Sequence, residues 1–106
     1  MSIQVAIVMG SASDWDVMSH CSKMLKDFDV SHEAKVLSAH RTPKELEAFI
    51  SQAEADGVQV FIAGAGLAAA LPGVVAAQTT IPVIGVPLIA DSDKLFELAE
   101  PTDLSR

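Results

Sequence analysis

The sequence predicts an α/β fold in which a parallel sheet of about four strands lies between layers of helices. Three observations predict it: short apolar runs recur along the chain, amphipathic helical patterns separate them, and the connections are short. Such alternation gives a parallel sheet, because each crossover brings the chain back to start the next strand in the same direction. At 106 residues, half of them apolar, the chain suits one domain with a substantial core.

Four segments have the composition of strands. Val5–Met9 is a continuous apolar run before a glycine, which is typical of a strand covered on both faces. The other predicted strands cover residues 31–37, 58–63 and 81–86. With a helical segment between each pair, the predicted order is β-α-β-α-β-α-β, with helices on both faces of the sheet.

Apolar residues that recur at a helical period indicate the first helix. The stripe consists of Val17, Met18, Cys21, Met24, Leu25 and Phe28. Ser13 is the expected N-cap, and the acidic side chains of Asp14 and Asp16 favour the first turn of a helix. We therefore predict a helix that starts after Ser13 and packs this stripe against the sheet.

The second helix has the clearest start signal. Thr42 and Glu45 have the spacing of a capping box, and Pro43 stands at the first helical position, where a missing N–H costs nothing. Its predicted apolar face consists of Leu46, Phe49, Ile50 and Ala53. Gly57 ends it, and a third, shorter helix with a proline near its start is predicted over residues 71–77.

The end of the chain differs from the rest. We predict one domain over residues 1–90, followed by a short tail over residues 91–106. In the tail, Ser92 is a candidate cap for a short apolar helix that Pro101 ends. No fifth strand, internal repeat or low-complexity segment is evident.

The composition of the chain limits which partners and which cellular compartment are expected. The formal net charge of -7, without a basic stripe, argues against nucleic acid as a partner. Cys21 is the single cysteine and the first residues do not read as a signal peptide, so we expect a cytoplasmic protein. Residues 57–90 lack charged residues and histidine, which raises a membrane span as an alternative. Glycines and prolines interrupt this stretch, so we favour strand, turn, buried helix and strand, with no membrane attachment.

Polar residues gather in three loops that follow the first three predicted strands. In a parallel sheet, the C-terminal ends of the strands share one edge, where ligands bind. These loops cover residues 10–14, 38–42 and 64–67. Their candidate site residues are Gly10, Ser11, Ser13, Asp14, Ser38, His40, Arg41, Gly64 and Gly66. We expect them to form one binding site.

The polar candidates each have a functional and a plain interpretation. Ser11 and Ser13 either cap the first helix or bind phosphate together with its free N–H groups. Asp14 either complements the helix dipole or accepts hydrogen bonds from ribose hydroxyls. Arg41 is either a solvated surface residue or a phosphate ligand, for which its guanidinium is well suited. His40 is the candidate catalytic residue, because histidine is the most frequent general acid/base.

Other conspicuous residues have plainer interpretations. His20 and His32 lack partners at metal-ligand spacing and are predicted to be surface residues, and Cys21 is predicted to be an inert part of the apolar stripe. Trp15 is expected to pack against a neighbouring loop or against another subunit. Residues 64–69 fit a dinucleotide-binding fingerprint, but they follow the third strand and no second nucleotide-binding half follows, so we disfavour it.

At these loops the sequence resembles the class I 5-(carboxyamino)imidazole ribonucleotide mutases of purine biosynthesis, also known as the catalytic subunit of phosphoribosylaminoimidazole carboxylase. The matching segments read VMGSASDW (8–15), SAHRTP (38–43), IAGAG (62–66), LPG (71–73) and PVIGVP (82–87). The match as a whole covers about residues 3 to 88, and these segments follow the order and spacing of that family.

The resemblance implies a flavodoxin-like three-layer fold and a homo-octamer with sites near subunit contacts. It implies an isomerase that moves a carboxylate from an exocyclic nitrogen to a ring carbon of an aminoimidazole ribonucleotide, without a metal or an organic cofactor. In this family the carboxylate leaves as carbon dioxide and re-adds at carbon, while the histidine matching His40 shuttles the proton. The positions of Ser11, Asp14 and Arg41 bind the ribose phosphate.

Three features depart from the family pattern. The family's third loop reads Gly-Gly-Ala-Ala-His-Leu-Pro-Gly, whereas here Leu67 replaces the second glycine and Ala70 replaces the histidine. The chain after Leu88 also matches poorly. The first hypothesis is therefore the mutase, either fully active or impaired by these departures. The alternatives are a short homologue that binds a nucleotide or a partner without turnover, and a structural assembly protein.

Overall fold

The computed structural model describes residues 3–66 and 70–88. Its strands and helices are β1 (Val5–Met9), α1 (Trp15–Asp27), β2 (His32–Val36), α2 (Pro43–Ala55), β3 (Val60–Ala65), α3 (Ala70–Gln78) and β4 (Val83–Pro87). A single 3-10 turn, Ala12–Asp14, precedes α1. All strand pairs are parallel, and the sheet order is β2-β1-β3-β4. The predicted α/β class is confirmed. The predicted tail and its candidate helix lie outside the described residues.

Strand β1 forms the middle of the core, because helices cover it on both faces. All five of its residues are buried. The side chains of Val5, Ile7 and Met9 share one face with Met18 of α1. Ala6 and Val8 point to the opposite face, where α2 and α3 pack. Alternate residues of a strand point to opposite faces, so a continuous apolar run is what a strand between two helical layers requires.

The end of α2 delays the start of β3 by two residues relative to the prediction. Gly57 has φ +84, a left-handed conformation that favours glycine, and its N–H donates to the carbonyl of Glu54. The N–H of Val58 donates to the carbonyl of Ala53 at 3.0 Å, which completes a Schellman motif. Val58 is therefore used to end the helix, and ladder pairing starts at Val60. Gly57 ends α2 as predicted.

The predicted apolar stripe of α1 is only half correct. Met18 is fully buried, and Cys21 and Leu25 are half-buried against the same cluster. The other three residues lie on the outer edge of the stripe and are exposed: Val17 50%, Met24 59% and Phe28 72%. Helix α1 is thus rotated so that one edge of the stripe meets the sheet and the other faces outward.

Both predicted helix caps are wrong in detail. The side chain of Ser11, not Ser13, caps the 3-10 turn before α1, since its Oγ accepts from the N–H of Ser13. Thr42 precedes α2 as predicted, but its hydroxyl makes no capping bond to the helix. It pairs with the backbone of Ser38 instead. The capping box with Glu45 is therefore replaced by a bond within the preceding loop.

Gly64 allows α1 to approach the sheet closely. A Cβ at this position would lie 2.7 Å from Met18 Sδ and 2.9 Å from Leu88 Cδ1. Both neighbouring side chains are buried, so neither can swing into solvent. Sequence reasoning assigned this glycine to the ligand site and missed its role in packing.

We predict that Gly64→Ala lowers the free energy of unfolding by about 1–3 kcal/mol, the usual cost of inserting a methyl group into a packed core. Denaturant unfolding measures it. Gly73→Ala in α3 is the matched control, because a Cβ there meets nothing within 4 Å. It should raise stability by roughly 0.5–1 kcal/mol, since alanine suits a helix better than glycine does. Equal unfolding free energies for the two variants would contradict this interpretation of Gly64.

Candidate active site

The strand order places a crevice where the predicted loops meet. From β1 the chain crosses to β2 on one side, and after β2 it proceeds through β3 to β4 on the other. The change of direction between β1 and β3 is a topological switch point, where ligands bind in open α/β sheets. An open cavity of about 150 Å³ lies there. Its lining consists of Gly10, Asp14, Ser38, Ala39, His40, Gly64, Ala65, Gly66, Ala70 and Leu71.

Six of the predicted site residues line this cavity and three do not. Gly10, Asp14, Ser38, His40, Gly64 and Gly66 contribute to its wall. Ser11, Ser13 and Arg41 lie on the same loops but outside the lining. The tertiary structure thus brings together residues from three loops. Their roles toward a ligand remain predictions.

The loop after β2 is a closed turn that carries His40 at its tip. Ser38 Oγ accepts from the backbone N–H of His40 at 3.2 Å and from that of Arg41 at 3.0 Å. Because a hydroxyl has two acceptor positions, both are occupied and its hydrogen is left to donate. Ser38 lines the cavity, so this hydrogen suits a ligand oxygen. His40 itself is exposed at the cavity wall, where its imidazole is accessible to a ligand.

The loop after β1 is held by its own hydroxyls. Ser11 Oγ and Ser13 Oγ lie 2.9 Å apart, and the N–H of Asp14 donates to the carbonyl of Ser11 at 3.0 Å. These bonds place the Asp14 carboxyl, which is half-buried, on the cavity wall beside the start of α1. Asp14 is thereby accessible to a ligand in the cavity, and its role as an acceptor for ribose hydroxyls stays a prediction.

Arg41 connects two of the loops. Its Nη2 donates to the carbonyl of Gly10 at 3.0 Å, although the two residues are 31 positions apart. Guanidinium has five N–H donors, so this bond leaves donors for an anion beside the loop after β1. Sequence reasoning predicted Arg41 as a phosphate ligand but not this link, because no periodicity reports a contact between separate loops.

The wall formed by β3 and α3 is small and apolar. Gly64 lies within β3, where it is buried, rather than in the turn that follows the strand. This placement does not favour the dinucleotide fingerprint, whose first glycine serves a tight turn. Ala70 begins α3 and lines the cavity at the position where the resembled family has histidine. Leu67, the other departure in this loop, lies outside the described residues.

The remaining histidines do not enter the site. His20 is exposed on α1, as predicted. The prediction for His32 is wrong, because it is half-buried: its Nε2 lies 2.7 Å from Ser22 Oγ and its Nδ1 lies 2.9 Å from the Val30 carbonyl. The bond to Ser22 joins α1 to the edge strand β2. Within residues 3–66 and 70–88, no group of three or more His, Cys, Asp or Glu is arranged to hold a metal ion.

Two further findings concern Trp15 and the uncharged stretch. Trp15 is 41% exposed and lines an apolar groove with Val36 and neighbouring residues of β1 and β2. The uncharged stretch forms β3, α3 and β4, as the favoured prediction of strand, buried helix and strand stated. None of the helices in the described part of the chain is long and apolar enough to cross a membrane.

Comparison with known proteins decides the family. A family model described as AIR carboxylase matches residues 4–99. The chain belongs to the AIR carboxylase family. This membership confirms the resemblance seen in the loop motifs. The matched range includes all the residues that line the cavity.

Named relatives and a solved structure agree with this membership. The chain is 47% identical over 104 residues to the N5-carboxyaminoimidazole ribonucleotide mutase of Brucella melitensis and 58% identical over 85 residues to that of Pyrococcus abyssi. These alignments cover 94% and 80% of this chain, but 64% and 49% of the relatives. A crystal structure of Treponema denticola PurE superposes with a TM-score of 0.78 at 31% identity, over 85% of this chain and 58% of that one. The flavodoxin-like fold is thereby confirmed, whereas the chain spans about half to two thirds of the length of these relatives.

Proposed function

We propose that this chain is an N5-carboxyaminoimidazole ribonucleotide mutase of purine biosynthesis. The observation that carries the proposal is the cavity at the switch point, where His40, Asp14 and Ser38 meet. The family membership supports it, because relatives that bear the mutase name share 47% and 58% of aligned residues with this chain. An enzyme of nucleotide synthesis with one free cysteine also fits the reducing cytoplasm.

The proposed reaction is an isomerisation that needs one proton shuttle. The bond between the exocyclic nitrogen and the carboxylate breaks, carbon dioxide is released into the pocket, and the nitrogen takes up a proton. A new bond then forms between the ring carbon and carbon dioxide, and the proton on that carbon leaves. One proton is gained and one is lost, so a single imidazole can serve as acid and as base. His40 is the proposed shuttle, because it is exposed to the cavity and its backbone is held by Ser38.

The size of the cavity suggests how a ribonucleotide would lie. Pockets for drug-sized ligands commonly measure about 300–1,000 Å³, well above the roughly 150 Å³ of this cavity. We therefore propose that the imidazole and its carboxylate enter the cavity beside His40 and Ser38. The ribose phosphate would then lie over the rim, where Asp14 can bind ribose hydroxyls and Arg41 the phosphate. Ser11, Ser13, Gly10 and Gly66 are proposed to support this rim.

A direct assay tests the proposed function. The chain is incubated with N5-carboxyaminoimidazole ribonucleotide, and formation of the carbon-carboxylated isomer is followed by chromatography or NMR. Conversion that is faster than the uncatalysed rate is expected. Calorimetry with aminoimidazole ribonucleotide separates the alternatives: binding without conversion indicates the non-catalytic homologue, and no binding indicates a structural role.

We also propose that the chain self-associates, as the family resemblance implies. The uncharged stretch contributes little to a surface for self-association, because Ile84 is the one large apolar side chain exposed in its described part. The exposed apolar residues lie instead on the outer edge of α1 and near Trp15 and Val36. Apolar surface of this kind is typical of an interface.

We predict that Met24→Glu combined with Phe28→Glu weakens self-association. Both side chains are exposed, Met24 on α1 and Phe28 directly after its last residue, and two carboxylates on an apolar contact would be buried without partners. Light scattering at micromolar concentration should show a lower mean mass than for the unmodified chain. Lys23→Glu is the control, since it lies on the same helix and changes net charge by the same amount. A monomeric unmodified chain would contradict the proposal.

A further inference from the structure

Thr42 closes the loop that carries the candidate catalytic residue. Its Oγ1 accepts from the backbone N–H of Ser38 at 2.8 Å and donates to the Ser38 carbonyl at 3.2 Å. Its own N–H donates to that same carbonyl at 3.0 Å. Three hydrogen bonds thus join the first and the last residue of the turn. The hydroxyl is half-buried, so these bonds are partly shielded from water.

The closed turn determines where His40 lies. Between the two ends of the turn, the backbone N–H groups of His40 and Arg41 both donate to Ser38 Oγ. Ser38 can hold them only if its own backbone is fixed, and Thr42 is the residue that fixes it. Without the Thr42 hydroxyl, the N–H of Ser38 loses its acceptor, and an unpaired backbone group that is partly buried favours rearrangement of the loop.

Thr42 is in turn anchored to the core. Its carbonyl accepts from the N–H of Leu46 at 3.0 Å, which is the first helical bond of α2. Leu46 is fully buried among residues of the sheet and α3. A continuous set of contacts therefore runs from the core through Leu46, Thr42 and Ser38 to His40.

From these contacts we propose that Thr42 is a positioning residue for the reaction, although it does not line the cavity. Its hydroxyl holds the 38–42 turn in the geometry that presents His40 to the ligand. The catalytic part of this proposal rests on the proposed mutase function, whereas the structural part does not. Proton transfer depends on geometry to within about 1 Å, and a displacement of that size can cost on the order of 10²-fold in rate.

The test compares Thr42→Val with Thr42→Ser. Valine keeps the shape of threonine and removes both hydroxyl bonds, whereas serine keeps the hydroxyl. Thr79→Val is the matched control, because Thr79 Oγ1 also makes two bonds, donating to Glu54 and accepting from the Ile81 N–H, between α3 and β4. All three variants are measured by ¹⁵N relaxation at His40 and Arg41, by ribonucleotide calorimetry and by turnover.

We expect Thr42→Val to lower the order parameters of the His40 and Arg41 amides from about 0.85 towards 0.6, the range of a flexible loop. Its kcat should fall about 10- to 100-fold, because His40 is no longer held in position for proton transfer. Ribonucleotide affinity should stay within about threefold, because no group proposed to contact the ligand is removed. Thr42→Ser should behave like the unmodified chain in both measurements. Thr79→Val should leave these amides and kcat unchanged.

Three outcomes would overturn the proposal: unchanged order parameters in Thr42→Val, equal losses in Thr42→Ser and Thr42→Val, or an equal loss in Thr79→Val. If the unmodified chain has no turnover, the mutase proposal fails, and the order parameters still decide whether Thr42 holds the turn. If Thr42→Val does not fold, Thr42→Cys replaces it, because a thiol is a weaker hydrogen-bond partner. A smaller loss in the same direction supports the proposal, and no loss overturns it.

Discussion

Replacing His40 with asparagine should lower kcat about 10²- to 10⁴-fold, the usual contribution of a general acid/base. Asparagine approximates the size of the imidazole and retains a hydrogen-bond donor and an acceptor, but its amide cannot serve as a general acid or base near neutral pH. His40 belongs to the cavity wall, where the reacting carbon and nitrogen are proposed to lie. Aminoimidazole ribonucleotide affinity should stay within about threefold, because the phosphate and ribose contacts are proposed to be made by Arg41 and Asp14. Steady-state turnover and calorimetry measure the two effects.

The control for this prediction is His20→Asn. His20 is exposed on α1 and does not belong to the cavity lining, so its loss should change neither turnover nor affinity. Turnover of His40→Asn close to that of the unmodified chain would refute the assignment of the proton shuttle. A parallel loss of affinity and turnover would instead assign His40 to substrate binding.

Arg41→Ala should weaken ribonucleotide binding about 10- to 150-fold, which corresponds to the roughly 1.5–3 kcal/mol of a hydrogen bond to a charged group. Two effects act in the same direction. The guanidinium donors proposed for the phosphate are removed, and the loop after β1 loses the bond from Arg41 Nη2 to the Gly10 carbonyl. Turnover of bound substrate should fall less than affinity does, because Arg41 lies outside the cavity lining. Calorimetry with the ribonucleotide and with its dephosphorylated nucleoside separates the phosphate term.

Arg41→Lys and Lys44→Ala provide the comparison for this result. Lysine retains the charge but lacks the planar fork, so it should recover only part of the affinity. Lys44 is an exposed cation in the first turn of α2, and its loss should have little effect. If the unmodified chain binds nucleoside and nucleotide equally well, Arg41 does not recognise phosphate.

The elements that could be predicted from sequence are those whose residues form a pattern within one segment of the chain. In β1 the five apolar residues are buried on both faces, because a central parallel strand has no solvent-facing side. The end of α2 at Gly57 was predictable for a similar reason, since a left-handed residue after a helix favours glycine. The starts of β3 and β4 were predicted less well, because periodicity does not show which N–H groups neighbouring elements will use.

The site was predicted at the level of loops and not of contacts. Because the C-terminal ends of parallel strands share one edge, Asp14, Ser38 and His40 could be grouped at that edge from sequence alone. The strand order β2-β1-β3 then made their loops neighbours. Sequence reasoning assigned Thr42 to a capping box with Glu45, whereas its hydroxyl bonds Ser38. Both partners are within reach of a threonine at this position, and only the path of the loop selects one of them.

Sequence patterns alone predicted the strands, the helices and the loops that carry the polar residues, because each segment has its own periodicity or turn residues. The alternation of these segments with short connections then predicted a parallel sheet. Tertiary structure decided the rotation of α1, which buries Met18 and exposes Phe28. It also decided the strand order β2-β1-β3-β4 and the bond between Arg41 and Gly10. These features depend on how separate segments cross and pack, and the pattern of residues within one segment does not show which other segments contact it.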